Sequence, residues 1–325
     1  MQSAPLISEP AAPSWQSALV RLLVRARMRP YAYKPIDPQV LRVKMGRPKS
    51  ARQLMLRATG AVARRLEAGP EHPAGDWVTV RGTTDRSPVL LYLHGGGFIG
   101  CSPETHRPLV GSLCSRLQAN AFVPEYRLAP EFPYPAALDD AMQSYRHLLH
   151  TLRIHPRRII LAGDSAGGGL ALSAAMRIRD EGLAQPAAIV AYSPWTDLAV
   201  SGQSLDENSD RCAMFAGITI RRAAPLYLGD TEPCDPGPSP LYGDFRGLPP
   251  LLMHASSDEV LRDDAVRVAE RASAAGVTVE FRLWRRVPHV WQFFPAILPE
   301  AAESLRLTVQ FVQRHLPTDL EPVVT

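Results

Sequence analysis

The residues best placed to do chemistry lie in the run Gly163-Asp164-Ser165-Ala166-Gly167. Four apolar residues, 159–162, precede it, and the stretch that follows is typical of a helix. A serine with glycine two positions away on either side can stand on a sharp strand-to-helix turn with its hydroxyl exposed. The pattern predicts that Ser165 is a nucleophile. Gly/Ser turns that have no catalytic role match the same pattern. The prediction therefore depends on finding an oxyanion hole, a base and an acid elsewhere in the chain.

A second glycine-rich run, His94-Gly95-Gly96-Gly97-Phe98, directly follows the apolar segment 89–93. Consecutive glycines let backbone N–H groups approach a ligand closely, as stabilisation of a developing oxyanion requires. The alternatives are a flexible loop and a phosphate-binding loop, but no Gly-Lys-Ser/Thr follows. We predict an oxyanion hole formed by the N–H groups of Gly95, Gly96 and Ala166. The last of these lies at a helix N-terminus, where the helix dipole favours negative charge.

Strands and helices alternate through most of the chain after residue 70. This alternation predicts an α/β fold with a mostly parallel sheet covered by helices on both faces. The stretch 198–247 interrupts the alternation and is interpreted as an insertion. The predicted strands are 77–80, 89–93, 121–126, 159–162, 188–192, 251–254 and 277–281, and the predicted helices are 105–118, 135–152, 166–182, 260–275 and 299–315.

The first 70 residues are predicted to form helices outside the sheet. Trp15, Leu19, Leu22 and Leu23 recur near helical spacing among arginines, which indicates an amphipathic basic helix over 14–29. A helix lying on its own protein is favoured over one lying on a membrane surface. A proline-rich link follows, and then a second predicted helix, Ala51–Ala68. The sequence thus divides into N-terminal helices, 1–70, and an α/β domain, 71–325.

Composition and charge argue against nucleic-acid-binding, membrane-spanning and secreted proteins. The 325 residues are 46% hydrophobic and 21% charged, an ordinary globular balance. The net charge is +4, but the basic residues are scattered and no five of them are consecutive, which argues against nucleic-acid binding. No apolar run reaches the roughly 18 residues of a membrane span. The four cysteines form no Cys-x-x-Cys pair, and the N-terminus does not resemble a signal peptide, so we expect a cytoplasmic protein with reduced thiols.

Four motifs stand in an order that resembles the bacterial hormone-sensitive-lipase family of esterases: His94–Phe98, Tyr126–Glu131, Phe132–Ala137 and Gly163–Gly168. The resemblance runs from about residue 85 to the end. It implies an α/β-hydrolase fold with a helical cap, built here from the N-terminal helices and 198–247. It also implies hydrolysis of short- to medium-chain acyl esters without a metal or organic cofactor.

The catalytic triad of this fold has the chain order serine, acid, histidine. The resemblance implies an acid just after the strand at 251–254, followed by an apolar residue and an acidic helix start. Asp258 matches this position, and Glu259 is a weaker alternative. Only His289 and His315 follow this acid, and His289 lies in a loop after a strand, as the family pattern implies. The predicted triad is therefore Ser165, Asp258 and His289.

The sequence says less about the substrate and the oligomeric state than about the triad. Phe98, Trp195, Met214 and Phe215 are candidates to line the substrate pocket, although each is equally compatible with a place in the core. A lactonase or amidase would use the same triad. A non-catalytic receptor is the alternative from another class, but plant gibberellin receptors, which resemble this family, lack the histidine. The expected partner is a small-molecule ester, and the sequence does not decide between a monomer and a homodimer.

Overall fold

The computed structural model describes residues 13–45 and 56–317 and is built on an eight-stranded sheet. The strand order is β1-β2-β4-β3-β5-β6-β7-β8. Strands β3 to β8 run parallel, whereas the pairs β1–β2 and β2–β4 are antiparallel. The predicted α/β fold is confirmed. The strands are β1 (Ala61–Leu66), β2 (Gly75–Val80), β3 (Val89–Leu93), β4 (Asn120–Pro124), β5 (Ile159–Asp164), β6 (Ala188–Tyr192), β7 (Leu251–Ser256) and β8 (Val279–Trp284).

Helices cover both faces of this sheet because the central strands are apolar on both sides. Leu91 and Leu161 contribute to one hydrophobic core, and their neighbours Leu90 and Ile160 contribute to the other. The helices are α1 (Trp15–Ala32), α2 (Pro38–Met45), α3 (Pro103–Leu117), α4 (Ala136–Arg146), α5 (Ala166–Asp180), α6 (Ser204–Glu207), α7 (Gly217–Leu228), α8 (Arg262–Ala274) and α9 (Pro299–His315).

The N-terminal region differs from the prediction at two places. The helix predicted over Ala51–Ala68 is wrong for its second half, because β1 pairs with β2 there; residues 51–55 lie outside the described part. Gly60, at φ +72°, separates a short helical turn from β1. The sheet thus begins within 1–70, the range predicted to hold only helices outside the sheet. In addition, α2 begins at Pro38, within the predicted link, because proline suits the first position of a helix.

Helix α1 lies on the body of the protein through one face. Val20 and Val24 pack against Ala213 of the insertion. At the end of α1, the hydroxyl of Thr219 donates a hydrogen bond to the carbonyl of Ala32 at 2.8 Å. The N-terminal helix and the insertion 198–247 therefore contact each other, as the predicted cap requires.

Neither a membrane-spanning helix nor a cluster of metal ligands occurs among the residues that the structure describes. None of the helices between residues 13 and 317 that the structure describes has the length and hydropathy needed to cross a bilayer. Within the same part of the chain, no three His, Cys, Asp or Glu side chains converge as a set of metal ligands would.

Candidate active site

Ser165 stands on the turn between β5 and α5, in a backbone conformation that few residues other than glycine adopt. Its φ is +53° and its ψ is −124°. The turn is held on both sides: the N–H of Ser165 donates to the carbonyl of Tyr192 at 2.8 Å, and its carbonyl accepts from the N–H of Trp195 at 2.9 Å. Gly167 has to be glycine, since a Cβ there would lie 2.0 Å from the carbonyl oxygen of Leu93. This is the strained turn that the sequence predicted.

His289 follows β8 in a loop and is 3% exposed. Its Nδ1 lies 2.5 Å from Oε2 of Glu259, which is 1% exposed. Oε1 of the same carboxylate accepts the N–H of Ser256, the last residue of β7, at 2.7 Å. The end of β7 thus holds the carboxylate, and the carboxylate fixes the proton on Nδ1 of the imidazole. Nε2 is buried without a hydrogen-bond partner among the described residues and is available as a proton acceptor.

Asp258 was the predicted acid, and the structure contradicts that assignment. Its carboxylate forms an ion pair with Arg21 of α1, with Nη2 3.0 Å from Oδ2, whereas the histidine pairs with Glu259. Its other oxygen accepts the hydroxyl of Ser257 at 2.9 Å. The physical reason is the tight turn after β7, which points consecutive side chains in different directions. Glu259 turns back toward the sheet, and Asp258 turns outward to the cap.

Two hydrogen bonds bring the histidine loop and the serine turn to the same end of β6. The N–H of Val290 lies 3.4 Å from the hydroxyl of Ser193, the first residue after β6. The preceding residue, Tyr192, accepts the N–H of Ser165. Tyr192 and Ser193, at the end of β6, thus hold the turn of Ser165 and the loop of His289. They lie at the carboxyl edge of the sheet, where parallel α/β folds bind their ligands.

The glycine run after β3 forms a tight loop beside the serine turn. The N–H of Gly95 donates to Asp164 at 3.1 Å, so it is not free to bind an oxyanion, and that part of the prediction is wrong. The N–H groups of Gly96, Gly97 and Ala166 make no hydrogen bond with another described residue. The free donors thus include two of the three predicted, with Gly97 in place of Gly95.

Asp164 ties the glycine loop to the serine turn. Its buried carboxylate accepts the hydroxyl of Tyr92 at 2.8 Å and lies 3.2 Å from Nε2 of His106, in addition to its bond from Gly95. Burial alone would raise the pKa of this carboxyl, but attraction to His106 and the hydrogen bonds from His106 and Tyr92 outweigh it and hold the pKa below its usual range. Asp164 is therefore ionised and acts as an anchor between the two loops.

Comparison with known proteins agrees with this architecture. A family model described as the alpha/beta hydrolase fold matches residues 90–293. The chain is 41% identical over 242 residues to an acetyl-hydrolase of Streptomyces hygroscopicus, covering 74% of this chain and 80% of the relative. It is 36% identical over 233 residues to an esterase of Acinetobacter venetianus, covering 71% and 77%. Both alignments span most of the two proteins compared.

Solved structures lead to the same family. A crystal structure of an esterase from the bacterial hormone-sensitive lipase family superposes with a TM-score of 0.81 at 34% identity, over 94% of this chain and 100% of that one. A hormone-sensitive lipase from a metagenome library superposes with a TM-score of 0.85 at 33% identity, with the same coverage. This chain belongs to the bacterial hormone-sensitive-lipase family of α/β-hydrolases. It is a carboxylic ester hydrolase.

The four predicted lining residues of this hydrolase fall into two groups. Phe98 and Trp195 are 2% and 1% exposed and belong to the main hydrophobic core, where Phe98 stacks on Tyr227 with ring centroids 3.7 Å apart. Met214 and Phe215 are half-buried in the insertion. The ring of Phe215 meets the imidazole of His289 edge-on, with centroids 5.1 Å apart. Phe215 thus contacts His289 through its ring, and Trp195 contacts Ser165 through its main-chain N–H.

Two other buried histidines make the stability of this hydrolase depend on pH. Burial lowers the pKa of both His94 and His254 to about 3, aided by the positive charge of neighbouring His106 and Arg282 respectively. Each stays neutral in the folded state and takes up a proton near its ordinary pKa of about 6.5 when unfolded. Their contribution to stability is present above that value and is lost as pH falls from about 6.5 toward 3.

We expect the free energy of unfolding of a His254→Gln variant to depend less on pH than that of the wild type, by about 2 kcal/mol between pH 7 and 5. Variants must be compared because the wild type also contains Asp264, whose pKa burial raises to about 7. That carboxyl adds stability as pH falls, which partly masks the loss caused by the histidines. Urea unfolding at both pH values measures the difference. His150→Gln, at an exposed position, should match the wild type, and equal pH dependence in all three proteins would contradict the prediction.

Proposed function

We propose that the hydrolase cleaves short- to medium-chain acyl esters through an acyl-enzyme on Ser165, with His289 as the base and Glu259 as the acid. The observation that carries the proposal is the His289–Glu259 pair. Its 2.5 Å contact places the Nδ1 proton toward the carboxylate and leaves Nε2 buried and free. A serine proton needs such an acceptor.

The steps follow from these positions. His289 Nε2 takes the proton of Ser165 as Oγ attacks the ester carbonyl, and Glu259 stabilises the imidazolium that forms. The N–H groups of Gly96, Gly97 and Ala166 are proposed to bind the oxyanion. Collapse of this intermediate expels the alcohol, which receives the proton from His289. Water then attacks the acyl-enzyme with the same imidazole as its base, and the acid product leaves Ser165 free.

We further propose that α1, α2 and the insertion 198–247 form a cap that limits the length of the acyl chain. Arg29 supports this assignment, because its Nη1 donates to the carbonyl of Phe215 at 2.6 Å. The main chain of the residue whose ring meets His289 is thereby tied to α1. A bulky ring fixed beside the base would leave room for short and medium acyl groups.

The intracellular setting is likewise a proposal. No disulfide joins the four cysteines, all of which lie in the described part of the chain. Burial raises the pKa of the Cys114 and Cys212 thiols, which disfavours the reactive thiolate. These features fit a cytoplasmic protein with reduced thiols.

A panel of esters of increasing acyl length, with lactones and amides, tests the substrate class. We expect kcat/KM to be highest for short- to medium-chain esters. Phe215→Ala should shift the preference toward longer chains, because it removes the ring beside His289. Phe132→Ala, a matched change at an exposed ring, should leave the profile unchanged. Faster turnover of a lactone or an amide than of any ester would contradict the proposed substrate class.

A further inference from the structure

Helix α1 has an apolar face that packing against the protein does not explain. Trp15, Leu19, Leu22 and Leu23 are 73%, 45%, 63% and 60% exposed. At 100° per residue they fall within about 100° of the helix circumference, opposite the face that buries Val20 and Val24. We call these four exposed residues the outer stripe. Single exposed apolar residues are ordinary, but a continuous stripe of this kind marks an interaction surface.

The segment that carries the outer stripe also carries the positive charge of the protein. Residues 14–45 contain seven basic residues and one acidic residue, a net charge of +6. The whole chain has +4, so the remainder has −2. The positive charge is therefore concentrated in α1, α2 and their link. The residues are Arg21, Arg25, Arg27, Arg29, Lys34, Arg42 and Lys44, with Asp37 as the acidic one. Arg21, Arg29 and Arg42 form ion pairs with Asp258, Asp210 and Glu131, so the exposed cations are Arg25, Arg27, Lys34 and Lys44.

Aromatic residues occur at both ends of α1. Trp15 begins the helix, and Tyr31 and Tyr33, near its end, are 45% and 55% exposed. Lys44 lies over the ring of Tyr31, with Nζ 3.9 Å from the centroid. Exposed Trp and Tyr beside basic side chains are typical of the interface between a membrane and water, where the ring enters the headgroup layer.

We propose that the outer stripe docks on an anionic phospholipid surface, with α1 lying parallel to it and the rest of the protein behind. An apolar face bordered by basic residues is what such interfacial helices present. The positive charge exposed on Arg25, Arg27, Lys34 and Lys44 favours an anionic surface. It also disfavours a second copy of this chain as the partner, because like charges would face each other.

Docking there would bring the candidate active site close to the lipid. The inner face of α1 packs near Met214 of the insertion. The next residue, Phe215, contacts His289. One layer of cap therefore separates the outer stripe from the base. The docking proposal itself does not depend on the proposed catalytic roles.

Co-sedimentation of the full chain with vesicles tests the proposal. We expect binding to vesicles of mixed phosphatidylglycerol and phosphatidylcholine at low salt, and much weaker binding to phosphatidylcholine alone or at high salt. Leu22→Gln should weaken binding by about tenfold or more, since it removes one buried apolar side chain. Val62→Gln is the matched control, because Val62 is 65% exposed on the edge strand β1. It should bind like the wild type.

Two further measurements separate the outcomes. Vesicles containing brominated phosphatidylglycerol should quench the tryptophan fluorescence of the bound protein. Trp15→Phe should remove most of that quenching, because Trp15 belongs to the outer stripe. Turnover of a short soluble ester should be the same in Leu22→Gln and Val62→Gln. The proposal is overturned if anionic vesicles do not bind the protein or bind both glutamine variants equally. It is also overturned if sedimentation velocity shows a dimer that Leu22→Gln dissociates and no vesicle binding accompanies it.

Discussion

Ser165→Ala is expected to lower kcat for a short ester by about 10³-fold or more, because the proposed acyl-enzyme cannot form without the hydroxyl. The fold should survive, since alanine meets the same backbone requirement at φ +53° that serine already meets. Steady-state kinetics and thermal unfolding measure the two effects. Ser165→Gly should be equally inactive but more stable than Ser165→Ala by roughly 1 kcal/mol, because glycine adopts this conformation with less strain.

A control for this experiment lies in the helix that follows. Ser173 is buried in α5 and has no proposed role. Ser173→Ala should retain activity, and a serine-directed phosphonate should label Ser165 and leave Ser173 unmodified. Near-normal turnover by Ser165→Ala, or labelling of another serine, would show that the nucleophile has been assigned to the wrong residue.

Glu259→Gln should lower kcat by about 10⁴-fold, the loss expected when the acid of a triad no longer controls the tautomer of its histidine. The geometry makes the change severe, because each carboxylate oxygen accepts a different proton: Oε1 that of Ser256 N–H and Oε2 that of His289 Nδ1. An amide supplies one acceptor and one donor. Whichever way glutamine turns, either the main-chain bond or the correct imidazole tautomer is lost.

Asp258→Asn is the matched variant at the neighbouring position. It removes the charge that pairs with Arg21 but leaves Glu259 and His289 in place. Because partly exposed ion pairs contribute at most about 1 kcal/mol, activity should stay within roughly tenfold of the wild type. Circular dichroism should show both variants folded. If Asp258→Asn were the severe change and Glu259→Gln the mild one, Asp258 would be the acid after all.

The fold was largely predictable because the central strands are short apolar runs that only a two-sided sheet can bury. The boundaries predicted for β3 and β6 were those of the structure. Prediction failed at the edge of the sheet. The segment Ala61–Leu66 has two arginines and partial burial, and its strand structure depends on pairing with β2, a contact that local sequence does not reveal.

The positions of Ser165 and His289 could be predicted because each follows a strand at a characteristic place. The acid was harder, since Asp258 and Glu259 are adjacent and only the turn geometry decides which one faces the histidine. A signal was present: Glu259, not Asp258, directly precedes the apolar Val260. The commitment of the Gly95 N–H to Asp164 depends on contact between two loops far apart in the chain, which spacing alone does not reveal.

The pair between Arg21 and Asp258 has a consequence for engineering this enzyme. Exchanging caps between relatives is a natural way to change substrate range. A donor cap without a cation at this place would leave Asp258 unpaired next to Glu259. A partly buried carboxylate without its cation is disfavoured at this position, in the turn that also holds Glu259. A functional chimera would therefore have to transfer the arginine with the cap, or neutralise Asp258 in the recipient.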